Sequence, residues 1–427
     1  MSTSEPELSA SHTDHDVRMR GFARRTTVER ALCWVDEQSC PLEPQRIPID
    51  AAYQRVLAND VVSAVDVPGF DRSMMDGYAV RSEDTLGATP YNRLPLRVVG
   101  QALPGVAFSE KVVSGQAVRI MTGAPLPAGA DAVLPVERIE VDGDRILAQD
   151  SVVRQKHVGV RGEDVRSGDS VLPRGRCLRP QDVGVLSSIG QAEVDVIRSP
   201  RVRIIVTGNE LLPAGSLPSE HRISDANGPM LTSLVTRDGG LPEHPGIVPD
   251  NPESILDAMH SDVDVVLVSG GSSVGQEDHA PVLLATHGKL PIHGIAMRPS
   301  SPAGMGLLGK RLVFLLPGNP VACLSAYDFF AGRAIRRLSG NATEWPYATI
   351  ERPLCRKLVS TVGRVDYARV RMNGDTIEPL AISGASLLST TTRADGFVII
   401  PADSEGYPEG TVVEVFCFDQ RPVPLRS

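Results

Sequence analysis

The chain of 427 residues has few aromatic side chains, 4% of the total, and no Cys-x-x-Cys pair among its cysteines, Cys33, Cys40, Cys177, Cys323, Cys355 and Cys417. Scattered thiols with no hydrophobic leader-like run ahead of them point to a reducing cytosol. The histidines form neither His-Glu-x-x-His nor a Cys/His cluster, which argues against a structural zinc site. No apolar run approaches the ~18 residues of a membrane-spanning helix, and no internal repeat is visible. Positive charge is also in deficit, because 43 basic against 52 acidic residues leave a net charge of -9. A broadly acidic surface attracts neither nucleic acid nor an anionic membrane, so an anionic substrate has to be met by a local pocket.

Glycine and proline are plentiful, at 39 and 34 residues. A chain that turns so often suits β-rich modules beside α/β ones. Its length exceeds a single hydrophobic core, so roughly two to four domains are expected. Residues 1–20 are polar and aperiodic and are expected to be a disordered tail. Thr26 and Glu29 then form a capping-box pattern ahead of Val28, Ala31, Leu32 and Val35 at helical spacing. A second helix is expected from Pro180 to Gly190, packing beside the first. Segments 21–60 and 153–197 would thus form one domain, with a β-rich domain at 61–152 between them.

Strand and helix signals alternate most clearly over 198–343. The runs Val202–Thr207, Val263–Ser269 and Leu312–Leu316 are too continuous for a one-sided sheet and predict buried parallel strands. Helices are expected at Pro229–Arg237, Pro252–His260, Ala280–His287 and Pro320–Leu338, with Asn251 and Asn319 directly before a first-turn proline. This predicts a doubly wound α/β module. The remaining stretch, 344–427, alternates again with turn signals such as Asn373-Gly374 and predicts a small β-barrel.

In an open α/β sheet, ligands bind beyond the carboxyl ends of the strands. The loops there are Gly208-Asn209-Glu210, Ser269-Gly-Gly-Ser-Ser-Val-Gly275 with Asp278 behind it, and Pro317-Gly-Asn-Pro320. The second has little side-chain bulk, so the amides of Ser269, Gly270, Gly271, Ser273 and Gly275 can approach a phosphate or oxyanion; taken alone it is also an ordinary Gly-rich turn. Pro317, Gly318 and Asn319 open a helix whose first N–H groups form a second anion site, or simply a capped helix start. Glu210, Asp250 and Asp278 are placed to hold Mg²⁺ or position water, although any one of them alone reads as a surface carboxylate.

Several stretches resemble one family. Ser73-Met-Met-Asp-Gly-Tyr-Ala-Val80 is similar to the Ser-x-x-Asp-Gly-Tyr-Ala signature of the molybdopterin molybdenumtransferases, and Met121-Thr-Gly-Ala-Pro-Leu-Pro-Ala-Gly-Ala-Asp-Ala-Val133 to a second. Gly162-Glu-Asp164, Thr207-Gly-Asn-Glu-Leu211, Asp225-Ala-Asn227, Ser269–Gly275 with Asp278, and Leu316-Pro-Gly-Asn-Pro320 agree in order. The resemblance implies a four-domain homodimer in which Asp76 and Thr122 act across the interface; read singly, they are a turn residue and a strand-end hydroxyl. It also implies that molybdopterin-AMP and molybdate yield the molybdenum cofactor and AMP with the aid of Mg²⁺. Asp250 and Asp278 would serve magnesium or water, Glu210 and Asp164 orientation, and the Ser269–Gly275 amides the pterin phosphate. A molybdopterin adenylyltransferase and molybdoenzyme chaperones are the implied protein partners.

The chain departs from the family at one place. Where a Lys-Pro-Gly-Lys-Pro stretch normally supplies two cations near molybdate, it has Arg298-Pro-Ser-Ser-Pro302. Arg298 keeps one charge as a planar fork, whereas Ser301, beside Pro302, offers only a neutral hydroxyl. Arg364 corresponds to a barrel arginine expected nearby, and Ser386 or Ser389 add hydroxyls. Two rivals stay open: a gephyrin-like dimeric scaffold on the same fold, and a nucleotide-modifying hydrolase sharing only the α/β domain.

Overall fold

The computed structural model describes residues 25–271, 278–381 and 384–419. They form two compact units, one of residues 46–196 and the other comprising the chain before it and from residue 197 onward. The expected tail at 1–20 lies outside the described residues, as do Ser273 and Gly275. No helix among the described residues is long and apolar enough to cross a membrane.

The 46–196 unit is built on a six-stranded sheet with strand order Ala132–Pro135, Gly77–Val80, Gln116–Ile120, Leu94–Ala102, Arg145–Ala148, Ile139–Asp142. Alternate residues feed opposite faces: Tyr78, Val80, Leu96 and Leu134 pack into one core, and Ala79, Val118, Ile120 and Val133 into another. A third core gathers Leu57, Leu178 and Val196 around Leu186 of helix Pro180–Ser188.

In the other unit, strands Leu241–Glu243, Arg201–Thr207, Val265–Ser269 and Arg311–Leu316 lie side by side and parallel, with Gly304–Leu308 and Lys289–His293 added antiparallel. The continuous apolar runs arise because both faces are covered. Val202, Ile204, Val206, Leu267 and Phe314 pack toward helices Asn227–Arg237 and Gly332–Leu338, while Ile205, Val266, Val268 and Leu315 pack toward Pro252–Met259 and His279–His287. The expected helix at 320–338 is present but widens in the middle, as Pro320–Ala326, a π turn at Tyr327–Ala331, and Gly332–Leu338.

Helix Val28–Gln38 belongs to this core too, burying Val28, Ala31 and Val35, and Arg333 grips Asp36 at 2.7 and 2.8 Å. It therefore packs on the α/β module and falls in a different compact unit from Pro180–Ser188, not in one domain with it as expected. Its cap is Thr27, which accepts from the Arg30 N–H, because the expected cap Thr26 is drawn into a parallel bridge with Ile295.

The C-terminal strands run in the order Thr376–Ala381, Val365–Asn373, Gly396–Ile400, Val412–Cys417, Ala348–Pro353. A bridge from Leu354 to Ile377 joins the last strand to the first and closes a small barrel around Ala368, Val370, Val398 and Val415. The scarce aromatics concentrate at the barrel's outer face, where Trp345 meets Phe329, Phe397 and Phe416 edge-on and Phe397 stacks on Tyr367 and Phe416. Met297–Arg298 adds as a parallel strand against Val365 and Asp366, stitching the α/β module to the barrel.

Candidate active site

Register fixes where the three strand-tip loops begin. Val206 pairs with Ser269 and Ser269 with Leu316, so the parallel strands end level and their loops leave from one edge. Gly270, at φ +98°, is crowded there: a Cβ would stand 2.2 Å from the Thr207 carbonyl oxygen, so no larger residue fits. A Cβ on Gly318 would lie 3.6 Å from the Gly270 Cα, bringing the third loop against the second. Buried Asn227 ties the edge together, its Nδ2 donating to Ser269 Oγ at 2.9 Å and to the Gly318 carbonyl at 2.7 Å. Its Oδ1 is buried with no hydrogen-bond partner among the described residues.

Carboxylates gather at the same edge. Thr207 Oγ1 donates to Asp250 Oδ1 at 3.0 Å. A Cβ on Gly271 would lie 3.9 Å from both Asp250 Oδ1 and the His279 amide, so Asp250 and the helix start capped in sequence by Asp278 border one small space. Glu210 is exposed and folds over Gly208. Among the described residues no cluster of three or more acidic, histidine or cysteine side chains is set to hold a metal. Two hard carboxylates suit Mg²⁺, which keeps several water and substrate oxygens of its own. The nearby Cys323 thiol is inert, since burial pushes its pKa up to about 12.

Next to this edge lies a cavity of about 520 Å³, lined by Arg298, Ser301, Pro302, Pro317, Asn319 and Arg364 among others. Pro317 forms its wall while Gly318, the next residue, lies beside Gly270, so one loop runs from the cavity to the strand-tip edge. The strand pairing of Met297–Arg298 with Val365 and Asp366 sets Arg298 beside fully buried Asp366, which it grips with both arms of its fork, Nε standing 3.0 Å from Oδ1. Ser360 Oγ donates to the same carboxylate at 2.6 Å, and Arg364 Nε stands 3.6 Å away. Two guanidinium groups on one carboxylate leave a surplus positive charge facing the cavity. Ser300, in the left-handed region at φ +78°, is held by donating from its hydroxyl to the Ala322 carbonyl at 2.6 Å, and this bend puts Ser301 into the cavity wall. Ser301 Oγ is buried and has no hydrogen-bond partner among the described residues.

Asn319 does not cap its helix with its side chain, contrary to expectation; it accepts instead from Ser386 Oγ at 2.8 Å. One of the helix-start donors, the Val321 N–H, is taken by the Ala385 carbonyl. Ser386 thus reaches the cavity wall through Asn319. Ser389 is exposed and accepts from Arg393, and it is not among the lining residues.

The 46–196 unit carries Asp76, Thr122 and Asp164. Gly77 pairs with Ile120 on neighbouring strands, so Asp76, one residue outside the pair, is brought to Thr122, two residues outside it. The Thr122 N–H and hydroxyl donate to Asp76 Oδ1 at 2.7 and 2.8 Å and hold this exposed carboxyl below its ordinary pKa. Gly77 is fixed by the close approach of the next strand, where a Cβ would stand 2.1 Å from the Leu134 carbonyl oxygen. Asp164 is exposed, and its N–H donates to the Val67 carbonyl at 3.1 Å.

Three family models match consecutive stretches of the chain. They are the MoeA N-terminal region (domain I and II) over residues 26–190, the probable molybdopterin binding domain over 203–337, and the MoeA C-terminal region (domain IV) over 351–418. A putative molybdopterin biosynthesis protein of Methanocaldococcus jannaschii is 31% identical over 405 residues, 92% of this chain and 96% of that protein. The chain belongs to the MoeA family. A molybdopterin molybdenumtransferase from Staphylococcus aureus is 29% identical over 396 residues, 91% of this chain and 94% of that one. The crystal structure of a molybdopterin biosynthesis MoeA protein from Pyrococcus horikoshii matches with a TM-score of 0.79 at 32% identity, covering 93% of this chain and 100% of that chain. MoeA membership places the chain in molybdenum cofactor biosynthesis. Sequence reasoning assigned no role to Thr207, Asn227 or Asp366. The Asp225-Ala-Asn227 motif was a signal for the second, whereas Asp366 is a lone carboxylate in a strand.

Proposed function

We propose that this MoeA-family chain is a molybdopterin molybdenumtransferase that inserts molybdate into adenylylated molybdopterin with release of AMP, working in the cytosol as a homodimer. The observation that carries this reading is an arginine-lined cavity linked by one loop to a strand-tip edge bearing Asp250 and Asp278. A tetrahedral dianion suits the first, because guanidinium forks and a free hydroxyl are oxyanion donors. A phosphoanhydride suits the second at Gly271, which borders the Asp250 carboxylate and the His279 amide at a helix start, whereas Ser269 is buried in the strand ladder and the Gly270 N–H donates to the Leu316 carbonyl.

In this reading Arg298, Arg364 and Ser301 hold molybdate next to the dithiolene. Asp250 and Asp278 are the residues that would hold Mg²⁺, which supplies charge neutralisation at the phosphoanhydride. Glu210 and Asp164 orient substrate and water. In a homodimer, the Asp76–Thr122 pair of one copy would serve the cavity of the other. Asp76 is suited to that by staying ionised, its carboxylate held in place by two donors. An adenylyltransferase would supply the substrate, and molybdoenzyme chaperones would take the product.

The test is AMP release from purified protein given molybdopterin-AMP and Mg²⁺, with and without molybdate. AMP release that depends on molybdate is expected. Molybdate binding without AMP release would instead identify a dimeric scaffold that retains the pocket, and AMP release indifferent to molybdate would identify a hydrolase.

A further inference from the structure

Ser301 stands where a second cation is expected, yet the cavity is not short of charge. Its charged lining among the described residues consists of Arg25, Arg298 and Arg364. Arg25 comes from a different part of the chain, just ahead of helix Val28–Gln38. Its position is fixed by backbone pairing: the Thr26 N–H donates to the Gly294 carbonyl at 2.9 Å, and the Ala296 N–H to the Thr26 carbonyl at 2.8 Å. Between those two anchors, the Ile295 N–H donates to the Ser301 carbonyl at 2.9 Å. The backbone at Ile295 is therefore flanked by the Arg25–Thr26 segment and by the Ser301 turn, and the two lie on one stretch of cavity wall.

Among the described residues their polar groups are unspent: Ser301 Oγ is buried without a partner there, and Arg25 forms no hydrogen bond or ion pair with a described residue, in contrast to Arg298 with its grip on Asp366. Arg298 and Arg364 set against Asp366 supply one net positive charge, and Arg25 brings the total to two, which matches a dianion.

We infer that Arg25 is the compensating cation of this pocket, delivered by the N-terminal segment to the position that Ser301 leaves uncharged, and that it sets the affinity for a tetrahedral dianion. The inference rests on the proposed oxyanion role of the cavity. Arg25 is exposed, and removing a charge-assisted donor from a bound oxyanion costs at least about tenfold in affinity.

The experiment is calorimetric titration of sodium molybdate, and separately of sodium sulfate, into the full chain at low ionic strength. Arg25→Ala should bind molybdate at least about tenfold more weakly than the parent, and Arg25→Lys should keep most of the affinity as a point charge. Ser301→Lys alone should bind more tightly, and Arg25→Ala with Ser301→Lys should return to within about threefold of the parent, since the two positions share one wall. Parent-like binding by Arg25→Ala, or a double variant no tighter than Arg25→Ala, overturns the inference while leaving the pocket reading intact. A parent protein that binds no molybdate overturns the pocket reading and the inference together. A lowered melting temperature in Arg25→Ala marks the residue as structural and also overturns the assignment.

Discussion

Two arginine–carboxylate clusters in the same compact unit use the same chemistry to different ends. In one, Arg237 reaches Asp328 and Asp238 at 2.9 Å each, Arg336 stands 3.1 Å from Asp238, and the Tyr347 hydroxyl donates to Asp328 at 2.9 Å. Two cations meet two carboxylates, and both carboxylates are buried. In the other, Arg298 and Arg364 share the single carboxylate of Asp366 and open on a cavity. The first cluster is balanced and closed, so it locks the π turn at Tyr327–Ala331 to helix Asn227–Arg237. The second is unbalanced and open, so its surplus is available to something outside the chain. Charge count and access, more than residue type, separate a cluster that holds the fold from one that holds a substrate.

The largest expected effect breaks the closed cluster. Burial alone would lower the pKa of Arg237, but Asp328 and then Asp238 outweigh it and hold the guanidinium firmly charged. Asp328→Ala leaves that charge underpaired inside the protein and is expected to cost about 3–5 kcal/mol. Urea unfolding measures it; a loss below about 1 kcal/mol would mean that water reaches Arg237 and that the two clusters do not differ as argued.

The open cluster should respond in the opposite way. Arg364 touches Asp366 only at 3.6 Å, and its other contact, to Thr361 Oγ1, is a weak 3.4 Å. Arg364→Ala should therefore change stability by no more than about 0.5–1 kcal/mol, while molybdate binding weakens about tenfold. Melting curves and calorimetry on one preparation separate the two. A variant that loses stability and keeps affinity would move Asp366 and its arginines into the structural class.

Much of the fold was legible because it is written locally. Buried parallel strands appear as unbroken apolar runs at Val202–Thr207 and Leu312–Leu316, and the rule that ligands sit beyond such strands points to the Ser269–Gly275 loop, Asp250 and Pro317–Asn319. The features that were not legible depend on pairings across long stretches of chain. Arg298 and Asp366 lie 68 residues apart, and nothing near either one announces the partner. Thr26 looks like a helix cap until Ile295 takes its backbone, and Asn319 looks like one until Ser386 takes its side chain. The π turn carries no local signal at all. Its Tyr-Asp-Phe-Phe-Ala sequence continues the helical pattern, and the widening accompanies the burial of Asp328 against Arg237.

The smallest expected effect concerns a pair intermediate between the two clusters. Arg198 and Asp264 meet through two bonds of 2.8 and 2.9 Å, the Arg201 N–H donates to Asp264 at 2.8 Å, and the side chains remain 26% and 21% exposed. Burial works to raise the Asp264 pKa, but the Arg198 fork and the Arg201 N–H outweigh it, so the carboxyl titrates below its ordinary value. A carboxylate whose pKa is lower folded than unfolded stabilises fully at pH values above the unfolded pKa, near ~3.9. That stabilisation fades as the pH falls through the lower, folded value. Asp264→Asn should therefore be less stable than the parent by about 1 kcal/mol from neutral pH down to about pH 4, after allowance for screening at a partly exposed pair. Below that the two unfolding curves should converge. A difference that stayed constant into strong acid would show that the pair acts through hydrogen-bond geometry alone, and that charge balance is the wrong variable by which to sort the clusters of this protein.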